Sequence, residues 1–165
     1  MSDLETSSGK KSFQEYYPDN LSYCYGCGRL NEYGLHIRSY WDGDEAVCTF
    51  TPKPFQLAVP GFVYGGLIAS VIDCHCTGTA SAAAYRAAKR AMGTDPPLRF
   101  VTASLHINYL HPMPIEVQLE VCSRVKEVKG RKVVMSATLS ANGEICAEGE
   151  VAAVQMPDQM ASPAP

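Results

Sequence analysis

Residues 60–76 read PGFVYGGLIASVIDCHC. Two adjacent glycines, Gly65 and Gly66, lead an apolar run that holds one carboxylate, Asp73. A buried charge without a partner is costly, so a carboxylate in such a setting needs a task or a hydrogen-bond partner. Glycines that open a helix leave their N–H groups without intrahelical acceptors. Those groups point outward at the positive end of the helix dipole, and the missing Cβ lets a carbonyl oxygen come close. Donors so placed suit an oxyanion formed at a carbonyl, each commonly worth ~3 kcal/mol. A carboxylate suits activation of water at that carbonyl, or direct attack on it. The plainer readings are a satisfied buried carboxylate for Asp73 and close packing for the glycines.

Spacing constrains this chemistry. Gly65 and Asp73 are eight residues apart, which is about 12 Å along a helix. The attacking group must lie ~3 Å from the carbon that the glycine N–H groups polarise. One copy of the helix cannot supply both, whereas two antiparallel helices from neighbouring subunits can. If both residues act in catalysis, the spacing asks for a dimer with shared sites.

The elements that carry these residues follow from pattern. From Tyr64 to about Met92 there is no proline, small residues abound, and the early part is apolar nearly all round. That predicts one long helix buried on most sides. Arg86, Lys89 and Arg90 put positive charge in its last turns, Gly93 stops it, and Pro96–Pro97 prevent its resumption. Ahead of it, 35–43 and 45–52 read as two strands joined by a DGD turn. Beyond it, 99–112, 115–128, 131–141 and 144–156 read as four long antiparallel strands with KG and NG turns. In the first of these, Val101, Ala103, Leu105, Ile107 and Tyr109 alternate onto one side. A short helix over 10–17 and an irregular stretch over 18–35 come first. A helix apolar on most sides needs a sheet curved around it. The predicted class is α+β: an antiparallel sheet of about six strands wrapped around one long central helix, the hotdog fold. Residues 1–21 read as an N-terminal extension, 22–156 as the domain and 157–165 as a disordered tail.

The 165 residues suit one domain, and 46% hydrophobic content suffices for a core. A net charge of −3 is too mild for a nucleic-acid surface. No stretch reaches ~18 apolar residues, so no membrane span is expected. The opening MSDLETSSGKK lacks a signal-peptide core, and a cytoplasmic location is the expectation. Seven scattered cysteines read as reduced thiols. Cys24-x-x-Cys27 resembles half of a zinc knuckle, but a structural zinc needs four ligands and no second pair has that spacing. Cys74 and Cys76 diverge by about 200° on a helix and cannot chelate together. No metal is expected. His75, His106 and His111 read as satisfied core, interface or strand-end residues.

Three segments, taken together, resemble the PaaI-type acyl-CoA thioesterases of the 4-hydroxybenzoyl-CoA thioesterase-like superfamily. PGFVYGGLIASVID resembles their His-Gly-Gly…Asp signature, VTASLHINYLHPMP the strand after the helix, and CYGCGRLNEYGLHI the Cys-aromatic-Gly-Cys-Gly opening. They stand in family order and, with the hairpins, cover roughly residues 22–156. The resemblance implies hydrolysis of acyl-CoA by a homodimer, or by a tetramer of two dimers. Coenzyme A would be part of the substrate, and no cofactor is implied. Asp73 would be the activating base or nucleophile, Gly65 and Gly66 the oxyanion donors, and Thr102 the hydroxyl that positions water.

This chain departs from the family at Tyr64, where histidine is usual. Tyr64 would hydrogen-bond the thioester oxygen or line the pocket. Some members carry a polar side chain, often Asn, where this chain has Ala58; Gln56 nearby is the substitute. Coenzyme A phosphates call for cations. The hairpin Arg124–Lys132 offers them, Arg131 and Lys132 above all, and Arg86, Lys89 and Arg90 form a second basic face at i, i+3, i+4. Two rival classes are a hotdog hydratase or dehydratase, whose sites usually pair histidine with a carboxylate, and a non-catalytic acyl-CoA binding or sensing protein.

Overall fold

Gly65–Ala87 form one helix, α1, and most of its side chains are buried. In the computed structural model, which describes residues 9–160, six strands surround it. They are β1 (Tyr40–Asp42), β2 (Glu45–Phe50), β3 (Phe100–Tyr109), β4 (Leu119–Lys129), β5 (Lys132–Ala141) and β6 (Glu144–Gln155). Their order across the sheet is β1-β2-β4-β5-β6-β3, with every neighbouring pair antiparallel. The core lies between α1 and the sheet, where Ile68, Val71 and Ile72 meet Leu119, Met135, Leu139 and Val151. This is the predicted hotdog arrangement. Residues 1–8 of the predicted extension and 161–165 of the predicted tail lie outside the described residues. Within the rest of those segments, Phe13–Tyr16 and Asp158–Met160 form short 3-10 helices, and Phe13 and Gln14 are buried.

Three differences from the sequence reading have a visible physical cause. The helix stops at Ala87 rather than Met92, because Lys89 takes a left-handed φ of +53°. The Lys89 N–H donates to Arg86 O (3.1 Å) and the Arg90 N–H to Tyr85 O (3.0 Å). These are the paired bonds of a Schellman ending, so the last carbonyls are satisfied four residues before Gly93. The first strand keeps only Tyr40–Asp42 of the predicted 35–43. The N–H groups of Leu35 and Ile37 donate instead to Tyr25 O and Gly26 O in the cysteine-rich loop.

The third difference bears on the site. β3 and β6 shift register between Thr102 and Ser104, which makes Ala103 the extra residue of a β-bulge. Thr102 lies opposite Ala153 and Leu105 opposite Val151, and both of those β6 residues are fully buried. Side chains directly opposite share a face. Phe100, Thr102, Leu105, Ile107 and Tyr109 therefore face α1. Val101 and Ala103, expected on that side, do not.

Behind α1 lies a buried polar chain. Gln14 Nε2 donates to Ser39 Oγ (3.1 Å), and Ser39 Oγ is 2.8 Å from His75 Nδ1. His75 Nε2 is 3.2 Å from Ala46 O and 2.9 Å from Ser123 Oγ, which meets Thr79 Oγ1 at 3.0 Å. Thr79 Oγ1 donates back to His75 O (2.8 Å). A neutral imidazole with its proton on Nε2 satisfies every group, as buried polar atoms require. His75 is the satisfied core histidine its sequence context suggests.

Burial pushes the His75 pKa down from 6.5 to about 4, against a smaller upward pull from the Ala46 carbonyl. As pH falls below 6.5 the unfolded imidazole takes up a proton and the folded one does not. The stability it contributes is present above that value and lost toward about 4, at about 1.4 kcal/mol per pH unit. Urea denaturation checks this. Between about pH 7 and 4.5 the wild type should lose about 2–3 kcal/mol more than His75→Gln. Parallel pH dependences would contradict it.

Candidate active site

The chain enters α1 through Tyr64, whose backbone is extended and whose carbonyl accepts the N–H groups of Leu67 (3.1 Å) and Ile68 (3.4 Å). No acceptor among the described residues takes the N–H groups of Gly65 and Gly66. They are the orphan donors expected of a helix start. The Tyr64 ring folds back over Gly66, where an added Cβ would collide with it. Opposite, the Tyr109 hydroxyl donates to Gly65 O (2.7 Å). Burial first, and the neighbouring Tyr64 phenol second, raise the Tyr109 pKa. A cleft of about 300 Å³ opens here, walled by Val63, Ile68, Tyr109 and Met113.

Gln56 braces this entry. Its backbone carbonyl accepts the Tyr64 N–H (3.1 Å) and its side-chain Oε1 accepts the Lys53 N–H (2.8 Å). The side-chain oxygen is thus engaged in the loop.

Two turns along the helix, Asp73 Oδ1 accepts a hydrogen bond from the Thr102 hydroxyl. The bulge at Ala103 makes this contact, since it turns Thr102 toward α1. Asp73 is only partly exposed. Desolvation raises its pKa, and the Thr102 hydrogen bond opposes that rise. The Cys24 charge adds to the rise and Arg99 subtracts from it. The result is a carboxylate more basic than one in water.

The structure joins Asp73 to Thr102 and Tyr64 to Gly65 and Gly66, but along one helix these are two separate clusters. Their separation is the rise between residues 65 and 73, about 12 Å. β3 runs beside α1 in the opposite direction, with Tyr109 at the glycine end and Thr102 at the carboxylate end.

The basic candidates divide. Arg86, Lys89 and Arg90 do not form a helical face, because the helix ends before Lys89. The Arg86 guanidinium stacks on Trp41, 3.7 Å from the ring centre. Arg90 donates to Thr94 O (2.7 Å) and Pro96 O (2.6 Å), closing the loop after α1. Lys89 is exposed. Arg131 and Lys132 sit at the β4–β5 turn and are exposed. Lys132 pairs with Val154, which pairs with Val101. The turn is therefore at the Thr102 end of the sheet, two strand spacings (about 10 Å) from β3.

Two features escaped the sequence reading. Sequence pattern places Tyr109 only on a face of its strand, because nothing in sequence links it to Gly65, 44 positions away. Cys74 meets the Cys24-x-x-Cys27 loop, with its Sγ 3.7 Å from that of Cys24. Hydrogen bonds from Cys27 and then Cys74 hold the Cys24 thiol far below its ordinary pKa. The only sequence signal was residue type.

Comparison with known proteins fits this geometry. The pattern of the thioesterase superfamily matches residues 60–147. A thioesterase superfamily protein from Shewanella loihica is 47% identical, with a TM-score of 0.65 over 86% of this chain and 100% of that one. The E. coli PaaI protein shares the fold at 17% identity, with a TM-score of 0.60 over 74% of this chain and 81% of that one. The acyl-coenzyme A thioesterase THEM4 of Xenopus laevis is 30% identical over 66% of this chain and 43% of its own length. The bovine protein of that name is 28% identical over 67% of this chain and 46% of its length. The chain thus spans less than half of those two relatives.

The Asp73–Thr102 contact yields a test. A donated hydrogen bond favours the ionised carboxylate. In Thr102→Val, carboxyl NMR should show Asp73 titrating at a higher pH than in wild type. An unchanged or lower value would break the assigned contact.

Proposed function

Because the chain belongs to the thioesterase superfamily, we propose that it hydrolyses acyl-CoA thioesters. The observation that carries this reading is the Asp73–Thr102 pair, a desolvated carboxylate held by a hydroxyl beside an apolar helix. Asp73 takes a proton from a water that Thr102 helps to hold, and that water attacks the thioester carbon. The Gly65 and Gly66 N–H groups hold the oxyanion. Collapse expels the CoA thiolate, which recovers the proton from Asp73. The acyl group lies in the cleft beside Gly65. Arg131 and Lys132 meet coenzyme A phosphates, a reading supported by their place at the Thr102 end of the sheet.

The donors and the carboxylate come from different subunits. Among the described residues β3 ends the sheet, and one of its sides carries no strand. An edge strand of ten residues is a template for pairing. Leu105 and Tyr109 on it are 38% and 52% exposed. Two β3 strands paired antiparallel about a two-fold axis bring Thr102 and Asp73 of one chain toward the partner's Tyr109 and Gly65. The seven unpaired cysteines support a reducing compartment such as the cytoplasm. No helix among the described residues is long and apolar enough to cross a membrane.

A second reading is a binding protein without turnover, favoured by the Tyr64 ring that lies over Gly66. Thiol release from a panel of acyl-CoAs decides between them. Wild type should release thiol, and Asp73→Asn should lose at least ~100-fold while remaining dimeric. Full activity in that variant would remove the mechanism; binding without release by wild type would favour the second reading.

Shared sites make a sharper prediction. Asp73→Asn and Gly66→Val chains, each inactive alone, form mixed dimers on co-refolding, and each mixed dimer has one intact site. Random mixing makes half of the dimers mixed, so roughly a quarter of wild-type activity should return. No recovery from verified mixed dimers would place both groups in one chain.

A further inference from the structure

A second concentration of reactive groups lies where the N-terminal loop meets α1, and the hydrolysis above makes no use of it. Cys24 and Cys27 flank Gly26 in a turn closed by Gly28 N–H to Cys24 O (2.7 Å). Cys74 enters from the helix. The three Sγ atoms all lie within 4.8 Å of one another. Cys27 and Cys74 are 1% and 6% exposed, and Cys24 is partly open. The turn is shaped around the helix sulfur: a Cβ at Gly26 would overlap Cys74 Sγ.

Three observations bear on what these sulfurs hold. Two thiolates each ~2.3 Å from a shared tetrahedral or trigonal ion stand about 3.8–4.0 Å apart, and Cys24 and Cys74 stand at 3.7 Å. The Arg99 guanidinium is 3.9 Å from Cys27 Sγ and stacks on Tyr17 at 4.3 Å. A cation gains little from neutral thiols and much from thiolates. The Tyr17 hydroxyl is buried with no hydrogen-bond partner among the described residues, and its ring lies against the same Arg99 that reaches Cys27. Buried phenols normally find a partner.

We propose that Cys24, Cys27 and Cys74 form a three-thiolate site for a thiophilic divalent ion of the zinc class. A water or small anion completes the tetrahedron and gives Tyr17 its missing partner. Three thiolates and a divalent ion sum to −1, which Arg99 neutralises; a monovalent ion would leave the site negative. On binding, each sulfur that still carries a proton passes it to solvent as three metal–sulfur bonds form. The exclusion of metal drawn from knuckle spacing does not reach this arrangement, since its third ligand comes from a distant helix. The ion would tie the N-terminal loop to the helix one residue beyond Asp73.

The test is titration of the full chain, reduced and metal-free, with Co2+ alone. Thiolate-to-cobalt charge-transfer absorption should saturate near one equivalent and be displaced by Zn2+. It should vanish in Cys74→Ala and in Cys24→Ala and persist in Cys122→Ala. Should the cysteine variants fail to fold, wild type suffices: Zn2+ must raise its Tm, because an ion bound only by the native state stabilises it. No absorption and no Tm shift would overturn the site. So would absorption that survives Cys74→Ala. Displacement of cobalt by Cu+ but not by Zn2+ would overturn the divalent assignment. A Cys24–Cys74 disulfide in protein isolated without reductant would replace the metal reading altogether.

Discussion

An α-helix advances about 1.5 Å per residue, so α1 holds the Gly65–Gly66 donors and the Asp73 carboxylate about 12 Å apart. The rest of the structure is arranged around that separation. β3 lies alongside in the opposite sense and attaches to the helix at both places, through Tyr109 at Gly65 and Thr102 at Asp73. As the last strand of the sheet among the described residues, it carries both contacts along one edge. The proposed two-fold dimer needs a helix and an edge strand fixed to each other in this way.

Holding the helix in one rotational setting is a separate problem. Its surface is apolar nearly all round, so hydrophobic burial alone distinguishes poorly between orientations. The chain from Gln14 through Ser39, His75, Ser123 and Thr79 makes that distinction. The bonds that His75 and Thr79 make from the helix to Ser39 and Ser123 would be lost on rotation, and each loss in a dry interior costs about 1–3 kcal/mol. The chain also draws residues near the N-terminus into the core. Gln14 belongs to the fold even though its sequence surroundings are polar.

Much of this was legible in advance. The central helix, the last four strands and the KG and NG turns follow from local pattern, because apolar periodicity and turn chemistry act within a few residues. That a carboxylate and helix-opening glycines stand on one helix was visible for the same reason. The helix end was not: its stop is a lysine in a left-handed conformation, where sequence points to Gly93. The bulge at Ala103 was also hidden, since a slip of one residue leaves no trace in composition. It reversed the facing assigned to Val101 and Ala103. The helical face assigned to Arg86, Lys89 and Arg90 failed with the helix end, and aromatic and carbonyl partners took up Arg86 and Arg90.

The sequence alone determined the kinds of groups present, their order, and the separation of Gly65 from Asp73, because a helix converts residue count into distance. Tertiary structure decided which groups meet. Thr102 reaches Asp73 only because β3 bulges beside α1, and Cys74 reaches Cys24 and Cys27 only because the N-terminal loop folds under the helix. Those contacts span 29 and about 50 residues of chain. They depend on how the sheet wraps the helix, a property of the packed whole that no local stretch encodes.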